Sequence, residues 1–387
     1  MSMTLSPRVT ALSKSATLKI TALTRKLISE GKDVVNFAAG EPDFDTPDFV
    51  KAAAKQAIDA GFTKYTPSAG IPALRQAIAE KLRRENRIDC CEKNIIVTAG
   101  AKYAIFAAFA GILDAGDEVI IPAPFWVSYP EMAKLLGAQP VFLATDASQG
   151  FKLDPARLKK AITSRTKMLV LNYPSNPTGM TYSLAELSAI NDVAQKAGIF
   201  VLSDEIYESL LYDDAKHISF AALPGSFERT FTVNGFSKSF SMTGWRMGYL
   251  CGAESLIDEL SKIIDHTTSC ASSISQKAAL AALSNRSWQP DMLKEFAARR
   301  DLLWKGLSAI PKIKPYKSQG TFYMFCDIRE SGMSSMDFAS RLLEKELVSV
   351  VPADDFGAPG HVRFSFATSQ ADIAKGLSRL KSFLCSA

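Results

Sequence analysis

The sequence has little of what metal, redox and nucleic-acid proteins display. Its six cysteines stand at 90, 91, 251, 270, 326 and 385, mostly beside apolar residues and without any CxxC pair. That spacing excludes a disulfide framework and a zinc ribbon, and reads as reduced thiols packed in a core. Histidine occurs three times, at 217, 266 and 361. Neither GxGxxG nor GxxxxGK[ST] is present, so the dinucleotide and nucleoside-triphosphate fingerprints are both missing. The 45 basic and 40 acidic residues leave a formal charge of +5, too small and too evenly spread to make nucleic acid or a membrane surface the main partner. No run approaches the ~18 apolar residues of a bilayer span. The opening MSMTLSPRVTALSKSATLKI lacks the uninterrupted apolar stretch of a secretory leader. A soluble, cytoplasmic chain is expected, without internal repeats or low-complexity segments.

What the chain has is length and alternation. Its 387 residues, 47% hydrophobic and 22% charged, suffice for one large and one small domain. Apolar runs read as strands at NIIVTAG (94–100), DEVIIPA, QPVFLATD, TKMLVLNYP (166–174), IFVLSDEIY (199–207), TFTVNGFS (230–237) and RMGYLCG (246–252). Helical patterns separate many of them, which predicts an α/β chain with a parallel sheet covered by helices on both faces. Near 290 the pattern changes to a long helix (291–309), the strand GTFYMFCDI, the helix SMDFASRLLEKE, the strand HVRFSFAT and a final helix. The expected division is a large domain over 46–290, a small α+β domain over 291–387, and residues 1–45 packing with the small domain.

Five stretches carry chemistry. In TAGAKYAIF a strand ends at Gly100 directly before a helix, which aims free backbone N–H groups at an anion; taken alone, it is equally a tight turn. In PFWVSYP, Trp126 opens the next unit at the edge where ligands of such sheets bind and offers a plane for a flat heterocycle, or ordinary packing. In NYPSNPTG, Asn176 precedes a proline and is pushed out of helical geometry, leaving its amide free to meet a ligand oxygen. In VLSDEIYESLLY, Asp204 ends a buried strand, where a carboxylate needs a positive partner: an arginine, a metal or a protonated ring nitrogen. None of the three histidines has ligand spacing to these acids, so no metal is expected. Tyr207 follows within reach of the same ligand. In TVNGFSKSFSMTGWRMGYL, Ser237 and Lys238 end another strand and Arg246 offers a planar fork for a phosphate. A lysine desolvated near other cations has a lowered pKa and forms Schiff bases with aldehydes. Together these residues assemble one ligand: pyridoxal 5′-phosphate.

The motifs AGEPDFDTP, KYTPSAGIPALR, PFWVSYPEM, NPTG, SDEIYE, SKSFSMTGWRMGY and GHVRFSFATS, in that order along nearly the whole chain, resemble those of class I aminotransferases of fold type I. Within that family they are similar to those of bacterial aspartate aminotransferases and the related aspartate/prephenate aminotransferases. The resemblance implies a large domain with a mostly parallel, seven-stranded sheet between helices, plus a small α+β domain. It also implies that Lys238 forms the Schiff base with pyridoxal 5′-phosphate and that Asp204 holds the ring-nitrogen proton. Trp126 stacks on the ring, and Asn176 and Tyr207 meet the phenolic oxygen. Gly100, Ala101, Lys102, Ser237 and Arg246 surround the phosphate. Tyr65 of KYTPSAG reaches the phosphate of a neighbouring subunit, hence a homodimer with shared sites. Arg363 clamps the substrate carboxylate, assisted by Gly40, Trp126 and Asn176, and Lys102 meets a distal carboxylate.

The implied reaction is ping-pong transfer of an amino group from L-aspartate to 2-oxoglutarate. The alternatives are an aspartate/prephenate or aromatic-amino-acid aminotransferase, or a lyase or synthase of the same fold. A regulator without catalysis is a further class; such chains generally carry a winged-helix domain first. Two departures stand out. Prephenate use goes with a lysine in a KPSAT segment, where this chain has SKSAT, with Ser13 in the lysine's slot and Lys14 in the proline's. A serine often stands three residues before the Schiff-base lysine, where this chain has Gly235; the phosphate should then rely on Arg246, Ser237 and backbone N–H groups. The basic stretch EKLRRENR (80–87) is expected to be a solvated helical face.

Overall fold

The structure, a computed structural model, describes residues 5–12 and 16–385. In chain order its strands are β1 (Val35–Asn36), β2 (Ile95–Thr98), β3 (Glu118–Ala123), β4 (Gln139–Ala144), β5 (Thr166–Asn172), β6 (Phe200–Asp204), β7 (Thr230–Gly235) and β8 (Gly248–Cys251). There follow β9 (Lys314–Tyr316), β10 (Tyr323–Asp327), β11 (Val348–Ser349), β12 (Val351–Pro352) and β13 (His361–Ser365). Seven of them form one sheet in the order β2-β8-β7-β6-β5-β3-β4. β3 pairs parallel with β4 and β5, β5 with β6, and β6 with β7; β8 is antiparallel to both β2 and β7. The parallel pairs follow from the crossover helices Ser128–Leu135, Pro155–Ala161 and Leu184–Ala197, because parallel neighbours cannot be joined by a tight turn.

The continuous apolar character of these strands has its cause in burial on both faces. Every residue of β2, β7 and β8 is buried. On one face Ile96, Val170, Leu202 and Phe231 pack with Phe109 and Leu260 of the helices Ala101–Ile112 and Glu254–Asp265. On the other, Ile95, Val97 and Tyr249 pack with Ile78 and Ala279, and Leu169, Leu171 and Val201 with Leu187 and Ile190. β4 lies at the edge, with Phe142 exposed.

A four-stranded antiparallel sheet, β12-β13-β10-β9, carries the helices Gln289–Ser308, Ser335–Glu346 and Gln370–Cys385. Its core holds Phe296, Leu303, Phe338, Leu342, Val362, Phe364 and Phe383, joined by Ile20, Val35 and Phe37 from the first part of the chain. β1 pairs parallel with β11, Val35 opposite Val348. Among the described residues no helix is long and apolar enough to cross a membrane.

β8 returns antiparallel beside β7, so the 236–247 connection begins and ends at the carboxyl end of β7. Lys238 and Arg246 are thereby held at one edge of the sheet. Gly235 faces Gly248 across this pair, and a Cβ at 235 would lie 2.8 Å from the Met247 carbonyl. The strand pairing leaves no room for a serine there.

Two expectations need correction. The 80–87 stretch is solvated only in part: Glu80, Arg83, Arg84, Glu85 and Arg87 are exposed, but Lys81 is buried and pairs with Glu208, donating also to Asn86 Oδ1 at 2.6 Å. Arg83 donates to the Cys90 carbonyl and Arg84 to Glu85, and 82–86 form a π-helical turn after the helix Pro72–Lys81. The thiols of Cys90, Cys251 and Cys326 are in the core, but Cys91 and Cys270 are half-buried and Cys385 is exposed.

The Lys81 ammonium, with His217 adding to it, holds the Glu208 carboxyl down to about 2 against the opposing effect of burial. A carboxyl lowered on folding contributes stability that is complete above its ordinary value near 4.5 and is lost as pH falls toward 2. Lys81→Met is expected to cost about 3–5 kcal/mol, because it strands a buried charge. In urea unfolding, Glu208→Gln should narrow the gap to the unmutated protein as pH falls from 5 toward 3; a gap independent of pH would refute the pairing.

Candidate active site

The carboxyl ends of β3, β5, β6 and β7 share one edge of the sheet, and β2, antiparallel to β8, ends there too. A cavity of about 600 Å³ opens on this edge against β10 and β13 of the smaller sheet. It brings together most of the residues singled out from sequence. Asp204, Tyr207, Ser237, Lys238 and Arg246 line it from the ends of β6 and β7. Ala101, Lys102, Trp126 and Asn176 enter after β2, β3 and β5, and Gly40 and Arg363 complete the wall.

Asp204 is buried and its carboxylate is held on both oxygens. Tyr129 Oη donates to Oδ2 at 2.6 Å and the Ile206 N–H to Oδ1 at 3.2 Å. Burial nonetheless pushes its pKa up to about 6, Glu205 adding to the rise, while Tyr129, the Ile206 N–H and Lys238 oppose it. The Lys238 amine is brought down to about 8, chiefly by burial, then by Arg363 and Arg246, against the pull of Glu41 and Asp204. Its Nζ donates to the Gly40 carbonyl at 2.5 Å. An amine shifted toward neutrality beside a buried carboxylate is the pairing expected where proton transfer or covalent chemistry occurs.

At the other end of the cavity, Arg363 is buried, with Nη1 donating to Asn176 Oδ1 at 2.7 Å. Its guanidinium lies 4.0 Å over the Tyr323 ring, and its buried Nε has no partner. An unpaired buried donor on a planar cation is a site for an anion that accepts from two of its N–H groups. Asn176 is itself fixed: its N–H donates to Asn172 Oδ1 at 2.9 Å, and Asn172 Nδ2 donates to the Asp204 carbonyl at 3.0 Å. Tyr207 Oη lies 3.2 Å from Tyr323 Oη. The Lys102 ammonium sits 4.9 Å over the Trp126 ring, its pKa lowered by burial and then by Arg246.

Gly100 does not line the cavity but shapes it. It has φ +86°, and a Cβ there would fall 2.5 Å from the Arg246 guanidinium. The arginine therefore lies directly over the turn that opens the helix Ala101–Ile112, itself at the unusual φ of +54°. This cradle, with free backbone N–H groups and the Ser237 hydroxyl, fits a phosphate. A flat ring with a basic nitrogen fits between it and Asp204, and an aldehyde fits Lys238. The residues present thus suit pyridoxal 5′-phosphate.

Tyr65 lies outside the cavity and is 86% exposed. Ser13 and Lys14 lie outside the described residues. Sequence reasoning passed over Tyr129, Asn172 and Tyr323. Tyr129 lies in the first turn of the helix Ser128–Leu135, its N–H donating to the Trp126 carbonyl at 3.1 Å. Tyr323 is a diagonal neighbour of Arg363 across β10 and β13, since Phe325 pairs with Arg363. Among the described residues, Glu205, Glu208 and His217 gather at metal-like spacing, which histidine spacing did not anticipate. All four carboxylate oxygens there already accept from Ser203, the Phe220 N–H, Ser219, His217, Lys81 or Asn86.

A family model for aminotransferases of class I and II matches residues 32–380. The chain is 44% identical over 387 residues to an aspartate aminotransferase of Bacillus sp. strain YM-2, covering 98% of this chain and 99% of that protein. It is 45% identical over 381 residues to an aspartate/prephenate aminotransferase of Thermus thermophilus, covering 97% of each. Among solved structures, the Thermus thermophilus aspartate aminotransferase with maleate superposes with a TM-score of 0.94 at 44% identity, covering 98% of this chain and 100% of that one. The Rhizobium meliloti aspartate aminotransferase gives 0.95 at 39% identity, covering 99% of each.

Gly100→Ala is expected to displace Arg246 and weaken the phosphate cradle. The apoprotein should need about tenfold more pyridoxal 5′-phosphate for half-saturation, followed by absorbance. Unchanged half-saturation would separate Arg246 from the phosphate.

Proposed function

This chain belongs to the class I and II aminotransferase family, whose cofactor is pyridoxal 5′-phosphate, and on that premise we propose that it moves the amino group of L-aspartate to 2-oxoglutarate. The products are oxaloacetate and L-glutamate. The observation that carries the reading is the cavity in which a lowered lysine amine, a buried carboxylate and an unpaired buried guanidinium N–H face one space. The similarity to proteins named aspartate aminotransferase supports the donor.

When bound, the cofactor supplies an aldehyde for the amine and a ring that takes up electrons from the substrate carbon. The protein residues do the rest. Lys238 Nζ would be the amine for the aldehyde; once freed by the incoming amino acid, it would take the proton from the substrate Cα and return it, as general acid, to the former aldehyde carbon. A base near pH 8 suits both directions of that transfer. Asp204 holds the proton on the ring nitrogen, and a positive partner there offsets the cost of burying its carboxylate. Tyr207 and Asn176 Nδ2 donate to the phenolic oxygen, and Trp126 covers the ring. Arg246, Ser237 and the N–H groups after Gly100 hold the phosphate. Arg363 takes the α-carboxylate through Nη and the free Nε, beside Gly40 and Asn176. Lys102 meets the distal carboxylate, a contact that favours dicarboxylic substrates.

The exposure of Tyr65 supports a homodimer in which each subunit completes the other's phosphate site. The division into a domain of 46–290, a small domain of 291–387 and an N-terminal segment of 1–45, and a cytoplasmic location, belong to the same reading. The relatives include proteins named aspartate/prephenate aminotransferase, so prephenate is the acceptor to test beside 2-oxoglutarate.

Borohydride reduction of the holoprotein followed by peptide mapping is expected to label Lys238; a label elsewhere would sink the assignment. Lys238→Ala should keep the cofactor non-covalently while losing the half-reaction with aspartate by at least a thousandfold. Donors and acceptors assayed in pairs should rank aspartate with 2-oxoglutarate first. Aspartate among the poorest donors would overturn the substrate, though not the family.

A further inference from the structure

Tyr323 is fully buried, and nothing in the reaction as described uses it. It belongs to β10 of the four-stranded sheet, whereas Tyr207 follows β6 of the seven-stranded one. Its backbone is held on both sides: the N–H donates to Thr321 Oγ1 at 3.1 Å, and Ser318 Oγ donates to the carbonyl. Its ring face carries the Arg363 guanidinium at 4.0 Å, and its hydroxyl reaches Tyr207 Oη at 3.2 Å. One side chain thus touches the two groups assigned to opposite ends of the ligand. Asp204 also acts on Tyr207, and Glu41, Lys102, Lys238, Arg246 and Arg25 line the same cavity.

We propose that Tyr323 is a positioning residue that orients Tyr207 toward the cofactor through its hydroxyl and Arg363 toward the substrate carboxylate through its ring. The inference rests on the cavity being the cofactor site. The hydroxyl argument is one of proton counting. Two hydroxyls in contact share one hydrogen bond, so only one of them donates to the other. If Tyr207 spends its proton on the phenolic oxygen, its own oxygen must accept from Tyr323. Each bond in such a chain polarises the next, so the donation from Tyr323 makes Tyr207 a stronger donor. Burial supports this assignment of roles, since it keeps the Tyr207 phenol neutral by pushing it well above its ordinary value. The ring argument is separate. The face of an aromatic ring attracts a cation, more so away from water. With Asn176 accepting from Nη1, Nε is left buried and without a partner among the described residues.

The two halves predict different losses. Tyr323→Phe removes the hydroxyl and keeps the ring. A weaker donation from Tyr207 leaves negative charge on the phenolic oxygen less stabilised, so the proton shared between that oxygen and the Lys238 nitrogen is held to higher pH. The midpoint of the cofactor absorbance change in a pH titration of the holoprotein should rise by about half a unit, with maleate affinity unchanged. Tyr323→Leu removes both features and should in addition weaken maleate binding about tenfold. It should raise KM for aspartate more than it lowers kcat. A general packing role would lower thermal stability in both variants and leave the midpoint of Tyr323→Phe where it was. An unmoved midpoint, or loss of maleate binding in Tyr323→Phe, overturns the proposal. If Tyr323→Leu fails to fold, Tyr323→Met replaces it, and Tyr323→Phe still decides the hydroxyl. Should the unmutated protein show no pH-dependent cofactor band, the cofactor reading itself fails; should the band be present and unmoved, the Tyr323 bridge alone fails.

Discussion

A carboxylate buried at the end of a strand is the constraint on which the site depends. Asp204 cannot be left ionised in an apolar interior without donors, and the fold provides them from two directions. Tyr129 arrives from the unit after β3, and the Ile206 N–H from the chain just beyond. The Asp204 backbone carbonyl separately accepts from Asn172, which also takes the Asn176 N–H, and Asn176 in turn holds Arg363. One residue thereby ties β6 to the loop that meets the smaller sheet. Satisfied as far as the protein allows, the carboxylate still sits near 6, and a positive partner would offset the cost of its burial.

Behind the strand end the chemistry is reversed. Glu205 and Glu208 each follow a cavity residue directly, and both project into a buried network with Ser203, Ser219, His217, Asn86 and Lys81. All four carboxylate oxygens accept there, so the network holds the Asp204–Tyr207 segment, and His217 Nδ1 is its buried atom without a partner among the described residues. The two sides of one short segment therefore do different work. One is a nearly closed hydrogen-bond network, and the other faces a cavity. Preorganised donors and acceptors around an empty volume are what a site needs if it is to bind without rearranging.

The elements legible in the sequence were those with enough residues to show a period or a continuous apolar run. β2 through β8 and the helices Leu184–Ala197 and Ser335–Glu346 announce themselves this way. β1, β11 and β12, two residues each, carry no periodicity and exist only because a partner strand lies beside them. Within the basic 80–87 stretch the arginines are exposed as expected, but Lys81 misled because charge is read as exposure, whereas it meets Glu208 from a segment more than a hundred residues away. Tyr129 and Tyr323 escaped notice because a tyrosine among apolar neighbours looks like core until its hydroxyl partner is known.

By itself the sequence determined which residue types stand at the ends of successive strands: glycine before a helix, asparagine before a proline, an aspartate, a lysine, an arginine. Their order along the chain was enough to imply a phosphorylated pyridine aldehyde, since every β-α unit delivers its last residues to the same edge. Tertiary structure alone decided what those residues can do. The closeness of Arg363 to Asn176 and of Tyr323 to Tyr207, and the lowering of the Lys238 amine, all arise where the two sheets face each other. Distances across that gap, and the loss of water within it, depend on packing between segments that no local pattern connects.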